Sequence, residues 1–232
     1  MTYEEYLLAK EKRLGICIEH MNHGVRFTDI ETAYIDETVV IGEGTFIGPC
    51  VTLEGNTVIG KKCSILQNTR IKDSNIGDEV EITASHVLES KVGDKTKVGP
   101  FAYLRPKSDI GKNCKVGDFV EVKNSTFGDG SKASHLTYIG DSDVGRDVNL
   151  GCGVVFVNYD GTNKFRSTIG DGTFIGCNTN LISPVNVEKG AYIAAGSTVT
   201  EDVPENALCI ARSRQTNIEG WAETKGLYRK NK

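Results

Sequence analysis

The chain has 232 residues, 38% of them hydrophobic and 25% charged, with a net charge of −4 at pH 7. That composition fits a soluble globular protein of one or two domains. The acidic balance argues against a broadly basic nucleic-acid surface, yet it leaves a few converging Lys and Arg free to hold an anion.

The chain begins Met1-Thr-Tyr-Glu-Glu-Tyr, with acidic residues where a signal peptide carries positive charge. No apolar run nears the roughly 18 residues of a membrane span, so the expectation is a cytoplasmic protein with no membrane partner. Residues 3 to about 20 are mostly good helix formers. Thr2 and Glu5 have the spacing of a capping box, and Gly24 lies just beyond the expected helix end. Tyr3, Leu7, Leu14 and Ile18 give only a partial apolar face, interrupted by Lys10.

From Ile35 an apolar residue recurs at every sixth position, through Ile41, Ile47, Leu53, Ile59, Ile65 and Ile71. Second and third runs start at Val92 and Ile169, the last reaching Val199. Position two of each hexad is often glycine, as at Gly42, Gly60, Gly93, Gly111 and Gly117, and position five is small or β-branched. A helix wants apolar spacings of three and four, and an isolated strand wants two. A period of six predicts short strands joined by regular corners, with glycine relieving the backbone at each bend. Three hexads close one triangular coil of about 18 residues, and about nine such coils stack as parallel sheets. The 26 glycines, spread among only five prolines, fit that reading.

The five-residue steps Ile71 to Ile76, Val122 to Phe127 and Ile139 to Val144 are absorbed at corners. Between Phe156 and Ile169 the hexads stop, and a loop is expected to leave the prism. The expected division is a helical segment over 1–24, the solenoid over 25–206 and a basic, non-repeating arm over 207–232. Seven cysteines with no Cys-x-x-Cys pair argue against a disulfide framework or zinc site; Cys63 and Cys114 occupy small-residue slots. No metal is expected.

His135 is the third residue of its hexad, counting Ala133 as the inward first, so its imidazole should face outward, poised for general-base work. Its surroundings, Ser131-Lys-Ala-Ser-His-Leu-Thr-Tyr-Ile-Gly, and the later Val157-Asn-Tyr-Asp-Gly-Thr-Asn-Lys-Phe carry a specific resemblance. So do Gly99-Pro-Phe-Ala-Tyr-Leu-Arg-Pro, Gly117-Asp-Phe-Val-Glu-Val-Lys, Ile193-Ala-Ala-Gly-Ser-Thr-Val-Thr and Ala211-Arg-Ser-Arg-Gln. Over roughly residues 20 to 221 the chain resembles the acetyltransferase domain of the bacterial bifunctional glucosamine-1-phosphate acetyltransferase / N-acetylglucosamine-1-phosphate uridyltransferase family.

The resemblance implies an all-β, left-handed parallel β-helix, a homotrimer with sites shared between chains, and acetyl-CoA as cosubstrate. It implies acetyl transfer to the amine of glucosamine 1-phosphate, with another amino sugar as an alternative acceptor. His135 is then the base and Glu121 the carboxylate that assists it. Arg105, Lys123 and Lys164 hold the sugar phosphate. Tyr138 and Asn149 contact the sugar, and Asn158 lies where sugar and acetyl group meet. Cys152, Tyr159, Cys177, Ala195 and Arg212 contact acetyl-CoA, and Lys164 and Arg212 are expected to reach an adjacent subunit. Backbone amides near Gly151-Cys-Gly are placed to stabilise a tetrahedral oxyanion.

Ser134, Cys152 and Cys177 depart from the family's usual Gly, Ala and Ser. A serine hydroxyl contact would be weakened at position 177. Trp221 either covers the ligand or pins the arm. No uridyl transfer is expected, because the short segment before the solenoid cannot hold a nucleotide-binding domain. A trimeric scaffold for a separately encoded uridyltransferase is a competing reading. So is a γ-class carbonic anhydrase, which needs three zinc-binding histidines where the array offers His86 and His135.

Overall fold

The computed structural model of the protein describes residues 1–227. The helix forms as its sequence predicts, over Tyr3–Asn22 (α1). The Glu5 N–H donates to Thr2 Oγ1 at 3.2 Å, and the Thr2 N–H donates to Glu5 Oε2 at 2.7 Å. Gly24, at φ +85°, turns the chain out of the helix. Only Cys17 of α1 is buried. The helix is fastened largely by Arg13, which donates to the carbonyls of Glu31 (2.9 Å) and Ala33 (2.6 Å) and lies over the Tyr34 ring. A guanidinium thus supplies anchorage that the broken apolar face cannot.

The rest is a prism of three parallel sheets with 11, 10 and 9 strands, about ten turns rather than nine. Each strand pairs with the equivalent strand of the next coil, as Phe46–Ile47 pairs with Ser64–Ile65. The inward column of the first sheet runs through Ile47, Ile65, Ile82, Val98, Val116, Ala133, Leu150, Ile175 and Ile193, all buried. Ile82 and Val87 continue the core between the expected first and second runs, with further five-residue steps on either side of Val87. Position five is also interior. There Thr45, Thr96 and Ser108 are buried, and their hydroxyls donate to carbonyls of Gly60, Gly111 and Val122 on the following coil. Each buried hydroxyl therefore keeps a partner.

The position-two glycines have a different purpose from the one expected. The left-handed bend falls at position four instead, or at position three in a five-residue step. Among the described residues, eighteen non-glycine side chains adopt it, Cys50, Lys62 and Asn68 among them. That conformation costs an L-residue roughly 1–2 kcal/mol, so stacking imposes the corner against local preference. The position-two glycines serve close approach between coils. A Cβ on Gly42 would lie 2.6 Å from the Gly60 carbonyl carbon, and one on Gly117 would lie 2.0 Å from the Ser134 oxygen.

The excursion expected after Phe156 is a hairpin between strands Val155–Val157 and Ser167–Ile169, closed by an antiparallel bridge from Tyr159 to Lys164. The first sheet continues past the expected boundary at 206, because Leu208–Cys209 pairs with Tyr192–Ile193. Beyond it, the described part of the arm holds one short helix, Trp221–Thr224 (α2). Residues 228–232 of the expected arm lie outside the described residues. No helix among the described residues is long and apolar enough to cross a membrane.

Candidate active site

His135 ends the strand Lys132–His135 of the first sheet, and Ala133 beside it points inward and is fully buried. His135 lies two positions beyond Ala133, where strict alternation would turn it inward again; the strand ends there, and the corner carries its side chain outward, 54% exposed. One coil earlier, Asp118 pairs with it in register, and His135 Nδ1 lies 2.5 Å from Asp118 Oδ1. That hydrogen bond, ahead of the small cost of burial, holds the Asp118 carboxyl below the usual aspartate range. On later coils, the register Ala133–Leu150–Ile175–Ile193 places Cys152, Cys177 and Ala195 at the same corner position. These acetyl-CoA candidates therefore form one column with His135, made of small side chains. Arg212 reaches the far end of the column, where a Cβ on Gly196 would meet its Cδ at 3.6 Å.

Around the corner, the second sheet carries the sugar-phosphate candidates. Tyr103, Glu121 and Tyr138 form one outward row. Arg105 and Lys123 lie beyond the buried Leu104 and Val122, again facing outward. Tyr138 folds its ring over Gly140, so that a Cβ there would meet the phenol oxygen at 2.4 Å. Glu121 is placed against Arg105, 2.7 Å from its Nη1. The carboxylate bonded to His135 is Asp118, while Glu121, expected to assist the proton transfer, is bonded to Arg105.

Asp141 joins this face to the hairpin. It accepts from Asn124 Nδ2 and Asn158 Nδ2, both at 2.5 Å, and lies 3.6 Å from Lys123 Nζ. Burial alone would raise its pKa; the two amide donors and the cationic charges of Lys123 and Lys164 outweigh burial and lower it. Lys164 lies against Lys123 of its own chain. The contact with Lys164, with Asp141 nearby, holds Lys123 above the usual lysine range, while Lys123 pushes Lys164 below it. Arg166 fixes the hairpin base, donating to Asp143 and to the carbonyls of Asn124 and Ser142.

Three candidates stand apart from these clusters. Asn149 faces outward from the first sheet in the row of Lys132 and Phe174. Tyr159 is exposed at the hairpin, its hydroxyl donating to the Gly161 carbonyl. Trp221 is half-exposed on α2. The expected oxyanion donors are partly committed, since the Gly151 N–H bonds to Ile175 O and the Gly153 N–H to Leu136 O. Of the three amides, Cys152 N–H carries no such bond among the described residues. A groove of about 630 Å³ between α1 and the first coils, lined by Lys12, Arg13, Tyr34 and Glu54, contains none of the site candidates. His86 lies edge-on to the Tyr103 ring, and no metal-holding group of three or more His, Cys, Asp or Glu side chains occurs among the described residues. The seven cysteines are free thiols.

The bacterial transferase hexapeptide model, of six repeats, matches residues 38–73, 89–124 and 166–201. The chain belongs to the bacterial hexapeptide-repeat transferases. This hexapeptide-repeat chain is 58% identical over 212 residues to the bifunctional protein GlmU of Clostridium beijerinckii, covering 91% of itself and 47% of that protein. It is 58% identical over 206 residues to the GlmU of Clostridioides difficile, covering 89% of itself and 45% of that relative. The chain thus spans about half the length of the curated relatives it matches. Among solved structures, it resembles a UDP-N-acetylglucosamine acyltransferase from Campylobacter jejuni, with a TM-score of 0.57 and 19% identity. That likeness covers 80% of this chain and 71% of the other. The acyltransferase of Bacteroides fragilis also gives a TM-score of 0.57 at 19% identity, over 76% and 69% of the two chains. These likenesses concern the fold, a left-handed parallel β-helix.

Proposed function

We propose that this chain transfers the acetyl group of acetyl-CoA to the amine of glucosamine 1-phosphate. The observation that carries the reading is the meeting of two surfaces at one corner. An exposed imidazole heads a column of small residues, and a face bearing Arg105, Lys123 and Lys164 adjoins it. On that face Arg105, Lys123 and Lys164 outnumber the carboxylates of Glu121 and Asp141, and the surplus positive charge suits a phosphate. The column of Cys152, Cys177 and Ala195 suits a long, thin thioester arm, with Arg212 available to the phosphates at its far end. Homology to the GlmU proteins supports the same reading.

An ammonium is no nucleophile, so the acceptor must lose a proton, which His135 is placed to take. The amine nitrogen forms its bond to the thioester carbon, the carbon–sulfur bond breaks, and the second proton that the nitrogen sheds on becoming an amide goes to the departing sulfur, giving coenzyme A thiol. Cys152 N–H is the backbone donor of its segment available to the carbonyl oxygen. The functional unit in this proposal is a homotrimer.

The test is thiol release from acetyl-CoA with glucosamine 1-phosphate, beside glucosamine 6-phosphate and other amino sugars. Turnover is expected with the 1-phosphate. His135→Ala should lower kcat by about 10²- to 10⁴-fold while the circular dichroism melt is retained. Near-full turnover in that variant rejects the assignment, and preference for another amino sugar corrects the acceptor.

A further inference from the structure

Asp118 and His135 occupy the same place on consecutive coils, 17 residues apart. Adjacent strands lie about 4.8 Å apart, so two outward side chains paired in register have to meet. Their meeting is a hydrogen bond from the imidazole edge to the carboxylate. Among the described residues, His135 is the sole ion-pair partner of Asp118. Phe119 and Leu136 follow in the left-handed conformation, so both side chains leave the prism before the chain turns onto the second sheet.

An ionised carboxylate can only accept, so the nitrogen facing it must carry hydrogen. With Nδ1 protonated, the neutral ring has its lone pair on Nε2, at the end away from Asp118. Loss of such a carboxylate frees the ring to take the opposite tautomer, which has no lone pair where the base needs it. The other titratable groups on the packed elements are Lys115 on the preceding coil, Lys132 on the same strand, Cys152 on the following coil and Tyr138 past the corner. Of all these, Asp118 alone bonds to the ring.

We infer that Asp118 is the positioning residue for His135, holding its Nδ1–H tautomer and aiming Nε2 at the acceptor amine. The inference rests on His135 being the general base of the proposed reaction. In that reaction the proton passes from the amine to Nε2, and Asp118 remains ionised beside the imidazolium that forms. The resemblance assigns the assisting carboxylate to Glu121, which here pairs with Arg105.

Nitrogen-15 spectra of histidine-labelled full-length chain, with steady-state kinetics on Asp118→Ala and Asp118→Glu, test this. The native His135 resonance should show a protonated Nδ1 and an unprotonated Nε2 at neutral or mildly alkaline pH. In Asp118→Ala the proton should move towards Nε2, and kcat should fall by about 10- to 100-fold with both KM values held, less than loss of the base itself. Asp118→Glu, on an exposed corner, should restore the Nδ1–H signal and most of the turnover, and it serves if the alanine variant fails to fold. An unchanged tautomer in Asp118→Ala, full turnover in it, or a loss expressed only in KM overturns the inference. The two readings fail separately. Full activity in His135→Ala removes the base assignment, whereas an inactive His135→Ala beside a fully active Asp118→Ala removes only the role of Asp118.

Discussion

Arg105 shows what one outward charge on this scaffold can do. It is 39% exposed and already paired with Glu121, so its contribution to folding is that of a surface pair, roughly 0–1 kcal/mol. A charge-assisted hydrogen bond to a bound phosphate has more to contribute, about 1.5–3 kcal/mol. Arg105→Ala should therefore raise KM for the sugar phosphate about 10- to 100-fold while leaving the melting temperature nearly unchanged. An unchanged KM would remove Arg105 from the phosphate site. Its outward position was legible from the hexad count, as was that of His135. The partners were not. Successive coils put contacting groups 17 residues apart at Asp118 and His135 and 18 at Thr96 and Cys114, while Arg105 reaches diagonally to Glu121, 16 residues on. Each five-residue step shifts the count, so no fixed offset in the sequence reveals that Asp118 lies under His135. The position-two glycines were visible for the same reason that their purpose was misread: a periodic pattern locates them, but only the stacked backbone shows what a Cβ would strike.

The hairpin after Phe156 is the element that departs from the repeat, and its sequence announced it by losing the hexad. What holds it was less visible, because Asp141 looks like one corner residue among many. Asp141 is buried and bonded to Asn158, and its pKa is lowered below the usual aspartate value. A carboxyl depressed in the folded state stabilises above its unfolded pKa, about 3.9, and loses that contribution as pH falls through the folded value. At pH 7 the anchor is fully charged. Asp141→Ala should therefore speed deuterium exchange over residues 159–165 at pH 7 and raise KM for the sugar phosphate, since Lys123 loses the carboxylate beside it and Asn158 loses its acceptor. In the unaltered chain, the same loosening is expected only below about pH 4. Equal exchange in the two proteins at pH 7 would show that Arg166 and the bridge at Tyr159 hold the hairpin alone.

At the scale of the whole molecule, the solenoid leaves two features that one prism does not satisfy. Phe101, Phe119 and Leu136 stand in a column beside His135, each more than half exposed, with the two phenyl rings stacked at 5.4 Å. A contiguous apolar strip of this kind marks a contact surface. Asn149 faces out from the first sheet, whereas Arg105, Lys123 and Tyr138 face out from the second. If Asn149 touches the same sugar, a neighbouring prism has to present it, which is the arrangement the proposed homotrimer supplies. Lys164, which meets Lys123 of its own chain, belongs to the second-sheet half of that site. Lys123→Ala and Asn149→Ala chains, each inactive alone, can be unfolded, mixed one to one and refolded together. With sites shared between chains, about a quarter of the sites in random trimers carry both groups, so about a quarter of native activity should return once native mass spectrometry confirms mixed trimers. Mixed trimers without recovered activity would place Asn149 and Lys123 in one chain's site, and the apolar corner would then be a contact surface without a catalytic share.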